Sequence, residues 1–163
     1  MKITFAPKDI LQIDDARIIF PNFSGEPGKY NRKGDRNFAI VIEDEETANE
    51  LAERGWNVRI KPGRNEDEPP RMHLPVKINF NEYGPNVYLK SGRAKQIRLT
   101  EETISMLDRI DILTASMDIR PYDWKLDDGS TGRSAYLKDM KVIQDVNRFA
   151  DDEDEDEDEE DQF

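Results

Sequence analysis

"ILTASMDIRPYDWKLDDGSTGRSAYLKDMKVIQD" spans residues 112–145 and holds two runs of strand-forming residues around one turn. "ILTASMDIRPYDW" (112–124) is rich in β-branched and aromatic residues and predicts a long strand. "LDDGSTG" (126–132) has the Asp-Gly chemistry of a hairpin turn, and "SAYLKDMKVIQD" (134–145) predicts the return strand. Alternate residues of a strand face opposite ways. Leu113, Ala115, Met117 and Ile119 therefore point into a core, and Arg120, Tyr122 and Trp124 point away from it.

The preceding sequence extends the same pattern. "ILQIDDARIIF" (10–20), "NFAIVIE" (37–43), "WNVRIK" (56–61), "MHLPVKINF" (72–80), "NVYLK" (86–90) and "QIRL" (96–99) all predict strands. "PNFSGEPGKYNRKGDR" (21–36) and "PGRNEDEPP" (62–70) predict loops. In "MHLPVKINF" Met72, Leu74, Val76, Ile78 and Phe80 face one way, and His73, Lys77 and Asn79 the other. Pro75 cannot donate to a ladder and predicts an edge or irregular position. "DEETANELAERG" (44–55) predicts a short helix with Asp44 near its start, Ala48, Leu51 and Ala52 on one face and Gly55 as the stop. Thr100 is expected to cap a second helix, with Glu101 and Glu102 in its first turn and Ile104, Leu107 and Ile110 toward the core. Many short strands with a late helix between them predict a mainly β fold. Its best match is an OB-fold-like Greek-key barrel with one or two short helices; a β-sandwich is the second choice.

The chain has 163 residues, and its last thirteen, "DDEDEDEDEEDQF", divide it into a domain at 1–150 and a tail at 151–163. Eleven consecutive acids, Asp151 to Asp161, repel one another and leave nothing apolar to bury before Phe163. Such a segment is expected to be disordered. The whole chain has 24 Lys and Arg against 36 Asp and Glu, a net of −12. Without the eleven tail acids, 25 acids face 24 bases, a net of −1, so the acidity belongs to the tail. A terminal aromatic beside a carboxylate suits a pocket rimmed by Arg or Lys, which makes Asp161, Gln162 and Phe163 the candidate partner-binding residues.

A near-neutral body can still carry a positive face if its charges are sorted. Trp56, Val58 and Ile60 share one side of their strand, leaving Arg59 and Lys61 on the other. Val87 and Leu89 face inward, leaving Tyr88 and Lys90 outside. Two loops add Lys29, Tyr30, Arg32, Lys33 and Arg36 in "KYNRKGDR", and Lys90, Arg93 and Lys95 in "KSGRAK". An outward Arg or Lys alone is an ordinary solubilising group, and a strand Trp is more often core, as Trp56 is by its parity. Aromatics and cations repeated on several outer faces are different: bases stack on rings while Lys and Arg track phosphates, without reading sequence. Together with Arg120, Tyr122 and Trp124, these residues form a candidate groove for single-stranded nucleic acid. Asp118, on the same strand face, is expected at its margin.

Enzyme chemistry has less support. His73 is the single histidine and there is no cysteine, so no zinc cluster, disulfide or thiol chemistry is indicated. No nucleophile elbow is present. Asp14-Asp15 and Asp127-Asp128 are adjacent pairs that point apart on a strand or serve a turn, not a convergent metal site. "MKITFAPKDI" has no apolar run of signal-peptide length, and no stretch reaches membrane-spanning length, which fits a cytoplasmic protein.

The stretches "GDRNFAIVI", "GWNVRIKP", "VKINF", "VYLKSGRAKQIRLTEE", "DIRPYDW" and "GRSAYLKDMKV", in this order, resemble the phage-encoded single-stranded DNA-binding proteins. The ending "EEDQF" is similar to the acidic, Phe-terminated tails of phage replication single-strand binders; bacterial relatives usually end in Pro-Phe, where this chain has Gln162. The resemblance implies an OB fold, sequence-independent binding of single-stranded DNA, no catalysis and no cofactor, and work in the host cytoplasm. It also implies recruitment of replication or recombination proteins (a polymerase, helicase or recombinase) through the tail; a homodimer is compatible with it. The competing class is a non-enzymatic interaction module or chaperone for basic proteins, acting through its acidic tail.

Overall fold

The hairpin at residues 112–144 is the spine of the sheet. A computed structural model describes residues 1–146. Among them the strands are β1 (Lys2–Phe5), β2 (Leu11–Ala16), β3 (Ile18–Asn22), β4 (Arg36–Ile42), β5 (Arg59–Lys61) and β6 (Arg71–Ile78). They continue with β7 (Asn86–Ser91), β8 (Ile97–Leu99), β9 (Ile112–Lys125) and β10 (Thr131–Gln144). One α-helix, α1 (Glu45–Glu53), follows β4, and 3₁₀ turns lie at Pro7–Asp9 and Ile104–Arg109. The fold is mainly β, as expected.

β9 and β10 have 14 residues each, which at about 3.4 Å per residue is longer than one small core needs. The hairpin therefore has two halves with different neighbours. The first half of β10 pairs in parallel with β6 (Tyr136↔Lys77), and the second pairs in parallel with β7 (Lys141↔Tyr88). A β-bulge marks the change: Leu137 opposes Ile119 and Asp139 opposes Asp118, so Lys138 is the extra residue. The main path through the sheet is β1-β2-β9-β10-β6-β4-β3, with β5 beside β6, and β7 beside β10 and β8. Only Arg17 separates β2 from β3, so one continuous segment lies along β9 at one end of this order and along β4 at the other.

The inward parity predicted for Ala115, Met117 and Ile119, for Val87 and Leu89, and for Met72, Leu74, Val76 and Ile78 holds: all are buried. Trp56 is also in the core, at 4% exposure. Leu113 is not, at 55% exposure: it is the residue skipped by a second register shift, and Ile112 beyond it packs against the core instead. Ile60 is exposed as well: β5 is only three residues long and pairs solely with the start of β6, while Trp56 already closes that side. Of the two positions expected for Pro75, the irregular one is found and not the edge. On one side β6 pairs with β5 up to His73 and with β10 from Val76, so the missing N–H falls in the gap between two neighbours. The sequence pattern also missed β1, which pairs with β2.

α1 forms as expected. The Asp44 carboxylate accepts the Thr47 backbone N–H at 2.7 Å, which lowers its pKa, and Glu45 and Glu46 sit at the positive end of the helix dipole. Ala48 and Leu51 are buried, whereas Ala52 is exposed. Gly55, at φ +91°, ends the helix in a conformation that L side chains rarely adopt. The second helix is instead the 3₁₀ turn Ile104–Arg109. Thr100 does not cap it; its backbone N–H donates to the Thr103 hydroxyl, while Ile104 and Leu107 still reach the core.

Candidate nucleic-acid interface

Register places the outer residues of four neighbouring strands on one face. Asn37 and Ala39 of β4 oppose Lys77 and Pro75 of β6; Lys77 opposes Tyr136 of β10; Tyr136 opposes Arg120 of β9. Farther along the hairpin, Ser134 opposes Tyr122 and Gly132 opposes Trp124. Tyr136 is the centre of this face. The Arg120 guanidinium lies 4.9 Å from its ring centroid, Lys77 Nζ lies 5.9 Å away, and the Tyr122 ring meets it edge-on at 5.8 Å.

Trp124, 37% exposed, lies flat on Gly132: a Cβ there would come within 2.2 Å of the indole. One ring face is thus held by backbone. Trp124 borders a pocket that also takes in Arg59 and Lys77. On the other flank Phe20 projects from a bulge in β3 at φ +51°, a strained value for a bulky residue. Its ring is 67% exposed and meets His73 edge-on at 5.4 Å. Burial, then the Arg59 charge, holds the His73 pKa below the usual imidazole range, so the ring is neutral at pH 7.

The loop between β3 and β4 is built, not slack. Asp108 accepts the backbone N–H groups of Phe23 and Ser24 and the Ser24 hydroxyl at 2.6–2.9 Å, tying the loop's first residues to the 3₁₀ turn. Gly25 lies so close to Gly34 that a Cβ would meet its backbone at 2.9 Å. The Asn31 amide donates to the carbonyls of Glu26, Arg32 and Asp35, and its oxygen accepts from Asn37 at 2.7 Å. This frame presents Tyr30, 91% exposed, with Lys29 over its ring and with Arg32 and Lys33 nearby in the chain.

The structure therefore brings together Arg59, Arg120, Tyr122 and Trp124, and sets Tyr30 beside them with Lys29, Arg32 and Lys33 on the loop. Lys61 is exposed at the far end of β5 opposite Arg71. Arg36 borders the pocket of Tyr30, Lys77 and Tyr136, but its guanidinium pairs with Glu101 at 3.7 Å and donates to the Glu101 carbonyl. Tyr88, Lys90, Arg93 and Lys95 lie on the β7–β8 hairpin, beside the second half of β10. Lys90 is engaged with the Ala94 carbonyl. Between the two groups stand Asp118 and Asp139, directly opposed; burial first, then Asp139, raises the Asp118 pKa. Asp161, Gln162 and Phe163 lie outside the described residues. Sequence reading had set Lys77 and His73 outward without placing them in the groove. It did not single out Tyr136, although Ala135 and Leu137 beside it mark its parity, and nothing local signals Phe20.

Among the described residues no cluster of three or more His, Cys, Asp or Glu is placed to hold a metal ion, and no helix is long and apolar enough to cross a membrane. Comparison with solved structures finds the single-stranded DNA-binding protein of bacteriophage Enc34. Its complex with ssDNA matches at a TM-score of 0.56 and 11% identity, covering 89% of this chain and 92% of that one. Its C-terminally truncated form matches at 0.52 and 11% identity, covering 89% and 91%. At this identity the likeness is one of fold. No curated protein sequence matches. The family model described as "Putative phage ssDNA-binding domain" matches residues 2–161, nearly the whole chain. The chain, a mainly β protein with aromatics and cations gathered on one outer face, belongs to the phage ssDNA-binding domain family.

Proposed function

We propose that this chain binds single-stranded DNA without reading its sequence, along the outer face of β4, β6, β10 and β9. The observation that carries the reading is Tyr136, whose ring is bracketed by Lys77, Arg120 and Tyr122 from two adjacent strands. A base stacks on such a ring while its phosphates meet the flanking cations. The connectivity supports an OB-type barrel in which the bent β2–β3 segment is the first strand and β4, β6, β9 and β10 are the next four. In that frame the β3–β4 loop and the β9–β10 turn flank the face of the second and third strands, where OB folds hold oligonucleotides.

Residues 1–150 form the DNA-binding domain in this proposal, and residues 151–163 act as a tethered polyanion. The tail competes with DNA for the positive face, and DNA binding frees Phe163 for a basic-rimmed pocket on a polymerase, helicase or recombinase. Titration of the full chain and of a chain ending at Ala150 with labelled oligo(dT), with duplex competitor, tests both parts. Affinity is expected to favour single strands and to fall as salt rises, because bound phosphates release counterions. The shortened chain is expected to bind more tightly at low salt. That gain should shrink once the Debye length falls to about 10 Å or less, near 0.1 M salt. Deleting Phe163 alone should leave DNA affinity unchanged and weaken partner capture. Equal binding to duplex would remove the groove; identical affinities at low salt would remove the competition.

A further inference from the structure

We infer that the DNA path does not end at Tyr136 but continues over Arg120 into a cleft between Lys138 and the ring of Tyr83, a further nucleotide subsite. The inference rests on the proposed DNA-binding face and extends it beyond the two loops that flank it. The cleft has a volume of about 470 Å³ and is lined in part by Asn79, Tyr83, Arg120 and Lys138. Asn79 also lines the neighbouring pocket of Tyr30, Lys77 and Tyr136, so the two spaces adjoin. Arg120 is common to both regions, because the guanidinium lying over Tyr136 belongs to a residue that lines the cleft.

Tyr83 is 88% exposed, yet its backbone is fixed. Asn81 N–H donates to the Gly84 carbonyl at 2.8 Å and Gly84 N–H returns a bond to the Asn81 carbonyl at 3.2 Å. Tyr83 N–H donates to Asn81 Oδ1 at 2.8 Å. A large ring held out in water on a closed turn contributes nothing to the core. It does offer a stacking surface whose backbone needs no further ordering on binding. Lys138 arrives there through the β10 bulge, where the extra residue re-aims a side chain that a regular ladder would have placed elsewhere. Its carbonyl lies near Gly84, placing the bulge beside the Tyr83 turn.

What lies beyond the bulge says where the strand cannot go. Asp139 and Asp118 are opposed on the outer face, with Lys138 and then Asp14 close enough to act on Asp118 electrostatically. A phosphate chain following the hairpin toward Tyr88 would have to cross these carboxylates. The Tyr83 cleft instead offers two cations and a ring, the combination that suits a phosphate and a stacked base.

The test uses the full chain and a ladder of oligo(dT) lengths spanning about 4 to 16 nucleotides, with binding read by fluorescence anisotropy. Tyr83→Ala, Tyr83→Phe and Tyr136→Ala are compared with the unaltered protein. The shortest oligomers should bind Tyr83→Ala and the unaltered chain alike. Longer ones should bind Tyr83→Ala about tenfold more weakly, one stacked base having been lost, and Tyr83→Phe should restore them. Equal affinity of Tyr83→Ala and the unaltered chain at every length overturns the subsite. If Tyr136→Ala still weakens binding in that case, the face survives and only the extension falls. If Tyr136→Ala is also silent, the face itself is wrong. Thermal unfolding of Tyr83→Ala should match the unaltered chain, because the exposed ring packs on no core.

Discussion

Trp56→Ala is expected to lose about 3–5 kcal/mol of folding stability, the largest effect of any single change considered for this protein. Trp56 is 4% exposed, follows the glycine that ends α1, and pairs through its backbone with Arg133 of β10. The Arg133 guanidinium lies 5.4 Å from its ring centroid and is held there by Asp123 at 2.7 Å and Asp9 at 3.4 Å. Truncation leaves a cavity the size of an indole and removes the ring face under a guanidinium whose carboxylate partners keep it in place. Denaturant unfolding should show a lower midpoint with an unchanged slope. A loss below about 1 kcal/mol would place Trp56 outside the core that the structure gives it.

Tyr136→Ala is expected to show the opposite profile, with DNA affinity falling by roughly 5- to 150-fold and much less change in stability. The ring is half-buried on the outer face, and its contacts are Tyr122, Lys77 and Arg120. Removing it takes away a stacking surface and also the feature that aligns two cations. Tyr136→Phe should keep most of the affinity, since the ring and not its hydroxyl makes these contacts. Lys77→Ala and Arg120→Ala should each reduce the salt slope by about one, with little dependence on DNA sequence. If Tyr136→Ala binds oligo(dT) as tightly as the unaltered chain, the central platform lies elsewhere.

Strand parity made much of this legible. Ala115, Met117 and Ile119 are inside, and Arg120, Tyr122 and Trp124 outside, because alternation is a local property of an extended chain. It failed where the chain stops being regular. Leu113 is skipped by a register shift, and Phe20 reaches the surface through a bulge. Parity says which side a residue takes but not which strand lies next to it. Lys77 and Tyr136 each had a readable direction; their meeting depends on the parallel pairing of β6 with β10, a long-range contact without a local signature. The same limit separated Tyr88 and Lys90 from the face, since β7 joins β10 beyond Asp139. Arg36 looked like part of a basic loop, but Glu101, distant in sequence, holds it.

The threading of β2–β3 along both β9 and β4 has a consequence in time. Leu11 pairs with Ile119, and Val76 with Ala135, so the sheet is joined through contacts between chain segments made far apart during synthesis. Chains dominated by such non-local pairings fold slowly, because loop-closure entropy is lost before the contacts reward it. The β1–β2, β5–β6, β7–β8 and β9–β10 pairs can form early from neighbouring residues, but none of them joins β6 to β10. Until β10 has emerged, β6 lacks its parallel partner and Lys77 has no Tyr136 beside it. The growing chain is therefore expected to be unable to grip DNA until almost all of it has been made. Stopped-flow refolding should show the emission change from burial of Trp56 and oligo(dT) capture appearing together in one late phase; DNA capture well before the core forms would contradict that order.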